Sequence, residues 1–333
     1  MANVAPTPKA VALVLLPALV LMLAFAFSYV GAFHDPTPHR LPVAVVGPPA
    51  LAEQLSRLPG DPLDARQASS RPDALSQIDD REVYGAYVAA TNRLFVASAA
   101  NRAAAVALEV TFDRVAAAQR RPAVRVIDVK PLPPKDPNGT AAFYAMIAWM
   151  FGGYIAATLI GLIGTPRSSS RQRAAERIGA LAGFGIVAGI LSVLMLRWSF
   201  DVFTGHVVAL CAIAALTVFA SGAATAGIQA AAGPAGTGLV ILVFVILGNS
   251  ASGGPFARPL LPGLWRTIGG VLPPGASVDL ARSALFFDGK RIAGPILVLV
   301  AWSALGTLLA LALGGRVVDP AEAEAEAAAG AAV

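Results

Sequence analysis

Few side chains in this sequence are arranged for catalysis, nucleotide binding or metal binding. The phosphate-binding pattern GxxxxGK[ST] does not occur, and Gly289-Lys290-Arg291 lacks both its loop and its hydroxyl residue, so the chain is not by itself a P-loop ATPase. His34 and His39 flank Asp35 in a proline-rich stretch, a pattern more typical of a flexible linker than of a metal site. No nucleophile stands out with a base beside it. We therefore expect no enzymatic activity, no cofactor and no metal.

The most concentrated charges lie in one short segment, Thr165–Arg177, with the sequence TPRSSSRQRAAER. Its four arginines outnumber a single glutamate. Such a segment is typical of a docking site for a soluble partner, and it is equally typical of a cytoplasmic loop that only sets membrane topology. Both interpretations stay open at this point. The candidate docking residues are Arg167, Arg171, Arg173 and Arg177.

Small residues recur at helical spacing directly after this segment. Gly179-x-x-x-Gly183 and Gly185-x-x-x-Gly189 each place two glycines one turn apart on a helix. Glycines at this spacing let two membrane helices approach closely. We predict that Gly179, Gly183, Gly185 and Gly189 form a helix-packing surface.

Polar and small residues also interrupt an apolar run at Leu247–Gly254, with the sequence LGNSASGG. Asn249 and Ser250 either line a cavity at the end of a half-length span or cap a helix at the water interface. The loop that follows is rich in Pro and Gly, and its Trp265 and Arg266 are candidates for a re-entrant stretch.

The chain as a whole has the composition of a membrane protein. Hydrophobic residues make up 56% of it and charged residues 14%, against roughly 25% in soluble domains. A membrane-spanning helix needs about 20 apolar residues. Five stretches carry no Asp, Glu, Lys or Arg: Ala10–Phe33, Pro137–Pro166, Ile178–Leu196, Val202–Ala257 and Ile292–Gly315. Four of them fit one span each, and Val202–Ala257 is long enough for two. We predict an α-helical polytopic protein with six transmembrane helices, the first within residues 1–33.

The first apolar stretch raises a separate question, because a secretory signal peptide also begins with an apolar core. Ala24-Phe25-Ala26 resembles a cleavage site. Signal-peptide cores run about 7–15 residues, and this one is longer than twenty. We therefore favour a retained anchor over a cleaved signal.

Residues 34–139 have the charge content of a folded domain in water. Leu41–Val46, Glu82–Ala89, Arg93–Ala97 and Arg125–Val129 have strand-like patterns, whereas Pro49–Leu58, Asp73–Asp79 and Asn101–Ala118 have helical ones. This order predicts an inserted α/β domain with one mixed sheet. After it, residues 140–315 form a five-helix transmembrane domain with a re-entrant or amphipathic loop at 251–291, including a short amphipathic helix around Ser277–Phe287. Residues 316–333 are an Ala/Glu-rich tail that we expect to be disordered.

The distribution of basic residues predicts the orientation. The four-arginine segment belongs in the cytoplasm by the positive-inside rule, which puts residues 34–136 outside a plasma membrane and both termini inside. One feature opposes this assignment, since the loop after the fifth span carries five basic residues and two aspartates: Arg258, Arg266, Arg282, Lys290 and Arg291 against Asp279 and Asp288. The net charge of +5 does not indicate nucleic-acid binding, because the arginines flank spans.

The layout and two stretches of sequence resemble a known family. Pro42–Val46, Asp80–Ala86 and Leu94–Ser98 look like the opening and central hairpin of its external domain. Gly248–Gly254, Leu260–Trp265 and Leu272–Ala276 are similar to its segment between the last two helices. The family is that of the type-2 ABC exporter permeases, in its branch of phage-infection-protein-like membrane proteins.

This resemblance implies a permease that exports a hydrophobic or amphiphilic substrate. It also implies a homodimer or heterodimer of permeases in the lipid bilayer, served by a separate nucleotide-binding ATPase subunit. Two features depart from the family: the external domain is short for this branch, and almost no amphipathic helix precedes the first span. The alternative is a non-transporting membrane protein whose outer domain binds a surface partner.

Overall fold

The structure, a computed structural model, describes residues 8–163, 168–233 and 235–315. Arg167 and the expected disordered tail, residues 316–333, lie outside this range. The described chain begins with helix α1, Pro8–Phe33, whose described side chains from Leu15 onward are mostly exposed and apolar. An apolar helix with an exposed apolar surface requires a nonaqueous environment. This helix leads directly into a β-sheet domain.

The sheet domain alternates strands and helices between residues 41 and 128. Its five strands have the spatial order β2-β1-β3-β4-β5, with β3 and β4 antiparallel and every other pair parallel. The elements are β1 Leu41–Val46, α2 Pro49–Ser56, β2 Leu63–Gln67, α3 Arg71–Asp79, β3 Gly85–Val88, β4 Arg93–Val96, α4 Arg102–Ala118 and β5 Arg125–Asp128.

Local sequence accounts for these elements. Ser70 and Asn101 cap α3 and α4 by accepting hydrogen bonds from the amides of Asp73 and Ala104. Leu108 of α4 packs on one face of the sheet and Ile78 of α3 on the other, so each face has its own apolar core. The sequence predicted every described strand except β2, an edge strand whose residues LDARQ show no clear apolar alternation.

Three long apolar helices follow the domain. They are α5 Ala141–Ile163, α6 Arg171–Phe200 and α7 Val207–Ala232. Helix α7 is central and packs against both α5 and α6. The next helix, α8, runs from Ala235 to Ala251 and is π-helical over Ile241–Gly248. At 17 residues it rises about 25 Å as an α-helix, less than the roughly 30 Å of a bilayer core.

The segment after α8 folds back onto the bundle. A 3₁₀ turn at Arg258–Leu260 precedes α9 Gly263–Ile268 and α10 Pro273–Phe286. Helix α10 begins earlier than expected and is almost fully buried against α5, α7 and the final helix. The helix expected around Ser277–Phe287 is therefore longer at its start, and its polar residues Asp279 and Arg282 lie largely against protein.

The final helix, α11, spans Ala293–Leu313 and packs along α7. The two backbones approach closely at Gly306: a Cβ added there would lie 2.3 Å from the carbonyl oxygen of Ala223. Only a glycine fits such a contact. Within the described residues, five helices are long and apolar enough to cross a membrane, α1, α5, α6, α7 and α11, which confirms the predicted class of helical polytopic membrane protein.

Contacts between loops divide the bundle into two ends. At one end the sheet domain lies beside the loop from α8 to α11, and His206 before α7 lies 3.4 Å from Asp288 of that loop. At the opposite end the Gly315 amide donates to the carbonyl oxygen of Ser168, just before α6. We call these the domain end and the far end.

Candidate functional site at the domain end

A charged cluster joins the sheet domain to the buried helix α10. Asp279 of α10 lies 2.7 Å from the guanidinium of Arg258 and 3.4 Å from that of Arg81, which belongs to the sheet domain. Arg81 also donates to the backbone carbonyl oxygen of Asp279 and to the hydroxyl of Ser283. One aspartate thus connects the loop after α8 to the end of α3.

Burial and charge act in opposite directions on Asp279. Burial opposes its ionisation, but Arg258 and Arg81 more than compensate and hold its pKa below the ordinary value. The same pairing raises the pKa of Arg258. The carboxylate is therefore ionised at neutral pH and forms ion pairs with both arginines.

Arg282, one turn further along α10, is 5% exposed. Burial lowers its pKa to about 10, so it stays charged at neutral pH. It donates to the carbonyl oxygens of Gly253 and Gly254 at 2.7 and 2.6 Å. The amide of Asn101 in the sheet domain lies 3.4 and 3.3 Å from the same two oxygens. These bonds fix the loop after α8 between α10 and the domain.

A cavity of about 550 Å³ lies beside this cluster, between the sheet domain and the first turn of α11. Five arginines and two carboxylates line it, so its walls are strongly basic. Its charged lining residues are Arg66, Arg81, Arg258, Arg266, Arg291, Glu82 and Asp279.

Three of the four residues predicted for a cavity or re-entrant loop lie elsewhere, in packed contacts. Ser250 is fully buried, with its hydroxyl 2.7 Å from that of Ser28 in α1, and the Trp265 indole donates to the same Ser28 hydroxyl at 3.0 Å. Asn249 is buried beside Ser250. Arg266 lines the basic cavity. The hydrogen bonds of Ser28 with Ser250 and Trp265 attach α1 to the rest of the bundle.

The predicted docking arginines separate into two environments at the far end. Ser170 caps α6, which leaves Arg171 and Arg173 exposed in the first turn. Arg177 is instead buried inside the bundle and donates to the carbonyl oxygen of Ala157 at 2.6 Å and to the side-chain oxygen of Gln229 at 2.5 Å. Arg177 therefore lies apart from Arg171 and Arg173, because α6 already begins at Arg171 and carries it into the contact with α5 and α7.

The four glycines of α6 also divide. A Cβ on Gly185 or Gly189 would lie 3.0 or 2.5 Å from the backbone of Ala215 in α7. A Cβ on Gly179 or Gly183 would meet no described atom within 4 Å. The second pair thus faces α7, and any packing role of the first pair stays a prediction.

Sequence reasoning missed the cluster around Asp279, although one signal pointed to it. The loop from α8 to α11 carries an excess of basic residues that opposed the assigned orientation. Acidic side chains of the sheet domain and the loop account for part of that excess, since Asp80 lies 2.9 Å from Lys290 and Asp279 binds two arginines.

A comparison with protein families gives a match over most of the chain. The family model described as ABC-2 family transporter protein matches residues 10–312. The match includes the sheet domain, the basic cavity and all the helices described above. Neither a curated protein nor a solved structure gives a significant match.

Proposed function

The chain belongs to the ABC-2 family of transporter proteins, and we propose that as a permease subunit of this family it exports a hydrophobic or amphiphilic substrate. Permeases of the family work with a nucleotide-binding ATPase, which we propose is a separate subunit here. The family match over residues 10–312 carries this proposal. The predominance of ion-free helices supports it, since such helices offer no proton relay of their own.

We propose that α8 is a sixth span and that residues 34–136 face outward. The exposed Arg171 and Arg173 support a cytoplasmic far end. The basic residues of the domain end are a weaker counter-argument than their number suggests, because several are paired with acids. Both termini are then cytoplasmic and the membrane is the plasma membrane.

The ATPase is proposed to bind at the first turn of α6. Arg171 and Arg173 offer an exposed, charged surface there, and Arg177 two turns inside links α6 to α5 and α7. A displacement of this end of α6 would therefore move its neighbours through the Arg177–Gln229 hydrogen bond. A transporter needs such a connection between the energy source and the helices around its substrate path.

We further propose that two permease chains, identical or related, form the functional unit. The unoccupied space at Gly179 and Gly183 supports this, because small residues on a membrane-exposed helix face allow close packing with another helix.

Affinity purification from native membranes tests the ATPase proposal. The wild-type protein should retain a nucleotide-binding subunit and confer efflux, while Arg171→Glu with Arg173→Glu should lose both. Arg120→Glu with Arg125→Glu, which reverses two exposed charges on the sheet domain, serves as the matched control. Recovery of no such subunit with the wild type, or unchanged efflux after charge reversal at α6, would contradict the proposal.

A further inference from the structure

We propose that the basic cavity at the domain end binds the phosphate group of an anionic amphiphile, with Arg266 and Arg291 as its principal ligands. The inference goes beyond the transport proposal, since it concerns a binding site and does not depend on ATPase coupling.

The charges around the cavity are only partly neutralised within the protein. Asp279 pairs with Arg81 and Arg258, and Asp64 pairs with Arg66 at 2.9 Å. Among the residues that the structure describes, no carboxylate lies within 4.0 Å of a guanidinium nitrogen of Arg266 or Arg291. Two lining arginines thus have no ion-pair partner in the described chain, and Glu82 is the one lining carboxylate left to offset them from a greater distance.

The type of cation indicates the type of anion. A guanidinium presents parallel N–H donors that match two oxygens of a phosphate, and arginine is favoured wherever phosphate is bound in this bidentate way. The cavity, at about 550 Å³, falls within the roughly 300–1,000 Å³ range of ligand pockets. It is large enough for a phosphate with a small attached group.

A structural role explains some of these arginines but not all. Arg81 and Arg258 hold the sheet domain on α10 through Asp279. Within the described chain the Arg291 side chain makes one hydrogen bond, to the carbonyl oxygen of Arg81, which leaves its other donors for a ligand. Arg266 lies on the short helix α9, outside the sheet domain, and lines the cavity. Fastening the domain therefore does not require Arg266.

The position of the cavity favours an amphiphile over a soluble anion. Ala293, Gly294 and Pro295 also line the cavity and form the first turn of the membrane-spanning α11. Ile296 and Leu297 follow at once and are exposed. A phosphate held in the cavity would therefore stand at the membrane surface, with an apolar helix face beside it for acyl chains. The positive end of the α11 dipole adds to the attraction.

The test is titration calorimetry on the full-length protein in a neutral detergent. The probes are dioctanoyl phosphatidate, inorganic phosphate and dioctanoyl phosphatidylcholine. We expect saturable binding of phosphatidate, at least tenfold weaker binding of inorganic phosphate, and no saturable binding of phosphatidylcholine. Binding should weaken with added salt, as a contact between charges in a partly open cavity does.

Two variants decide which residues hold the anion. Arg266→Gln with Arg291→Gln should weaken phosphatidate binding by roughly a hundredfold, since each charge-assisted contact contributes about a factor of ten or more. Arg120→Gln with Arg125→Gln removes the same charge from the turn after α4 and from β5, the edge strand opposite β2, and should bind like the wild type. If the double variant does not fold, the single variants Arg266→Gln and Arg291→Gln should each show about a tenfold loss.

The outcomes separate the sources of the phosphate. Equal affinity for inorganic phosphate and phosphatidate, with both lost in the variant, would keep the anion site but overturn the amphiphile as its ligand. No saturable binding of either anion, or unchanged binding by variants at Arg266 and Arg291, would overturn the site. An intact site in a protein without an associated ATPase would contradict only the transport proposal.

Discussion

The Asp279 carboxylate lies 2.7 Å from the Arg258 guanidinium, which joins the buried helix α10 to the loop after α8. Arg81 of the sheet domain shares the same carboxylate at 3.4 Å. Because the Asp279 carboxylate pairs with two arginines from different parts of the chain, its loss would leave both Arg81 and Arg258 without this acidic partner. This pairing explains how a domain between α1 and α5 is held against the last third of the molecule.

The first prediction is that Asp279→Asn destabilises the protein by about 1–3 kcal/mol, because its ion pairs with Arg258 and Arg81 are largely but not fully shielded from water. Asp288→Asn is the control, because Asp288 is exposed and its ion pair within the described residues is with His206 at 3.4 Å. Thermal unfolding in detergent measures both variants. If Asp279→Asn melts within a degree or two of Asp288→Asn, the cluster does not hold the domain in place.

The second prediction concerns pH. The folded-state pKa of Asp279 lies below the ordinary 3.8, so its contribution to stability is present above the unfolded-state pKa and is lost as pH falls through the folded-state value. The melting temperature of the wild type should therefore fall more steeply than that of Asp279→Asn as pH is lowered from about 5 to about 3. Parallel curves for the two proteins would contradict the assignment.

Hydropathy is sufficient to predict most of the membrane-spanning helices from the sequence. The spans α1, α5, α6, α7 and α11 follow from ion-free length alone, because no soluble fold requires such segments. The strands β1 and β4 follow from dense apolar and β-branched residues. These features are local, and a local pattern is sufficient to predict them.

The Asp279 cluster could not be derived in this way. Asp279 and Arg282 give α10 a polar face, which a sequence pattern assigns to water. The structure satisfies that face with Arg81 and with the carbonyl oxygens of Gly253 and Gly254. The burial of Arg177 could not be derived for the same reason, since its acceptor Gln229 is distant in sequence.

The third prediction separates the two glycine pairs of α6. Gly189→Ala should destabilise the protein by about 1–3 kcal/mol, because the added methyl group overlaps the α7 backbone. Gly183→Ala, on the open face of the same helix, should leave the stability of the single chain unchanged or raise it by up to about 1 kcal/mol through helix propensity. Thermal unfolding of both variants provides the comparison. A reversed order of the two would contradict the packing of α6 on α7.

The fourth prediction addresses the connection between α6 and its neighbours. Arg177→Leu should keep the ATPase bound, since Arg171 and Arg173 are unchanged, but should lower efflux at least tenfold because the hydrogen bonds to Ala157 and Gln229 are lost. Arg197→Leu, at the other end of α6, is the matched control. Efflux of an amphiphilic dye and the amount of co-purified ATPase are measured together. Normal efflux by Arg177→Leu would exclude a coupling role for this contact.

The most direct test of the account is the sidedness of the two ends of the bundle. The transport proposal depends on it, because the ATPase must reach α6 from the cytoplasm, which leaves the sheet domain facing outward. Single cysteines are introduced in a Cys211→Ala background, as Arg120→Cys in the sheet domain and Gln172→Cys in the first turn of α6, and whole cells are treated with a membrane-impermeant maleimide. We predict that Arg120→Cys is labelled in intact cells and Gln172→Cys only after permeabilisation. Labelling of Gln172→Cys in intact cells, with Arg120→Cys protected, would contradict the account.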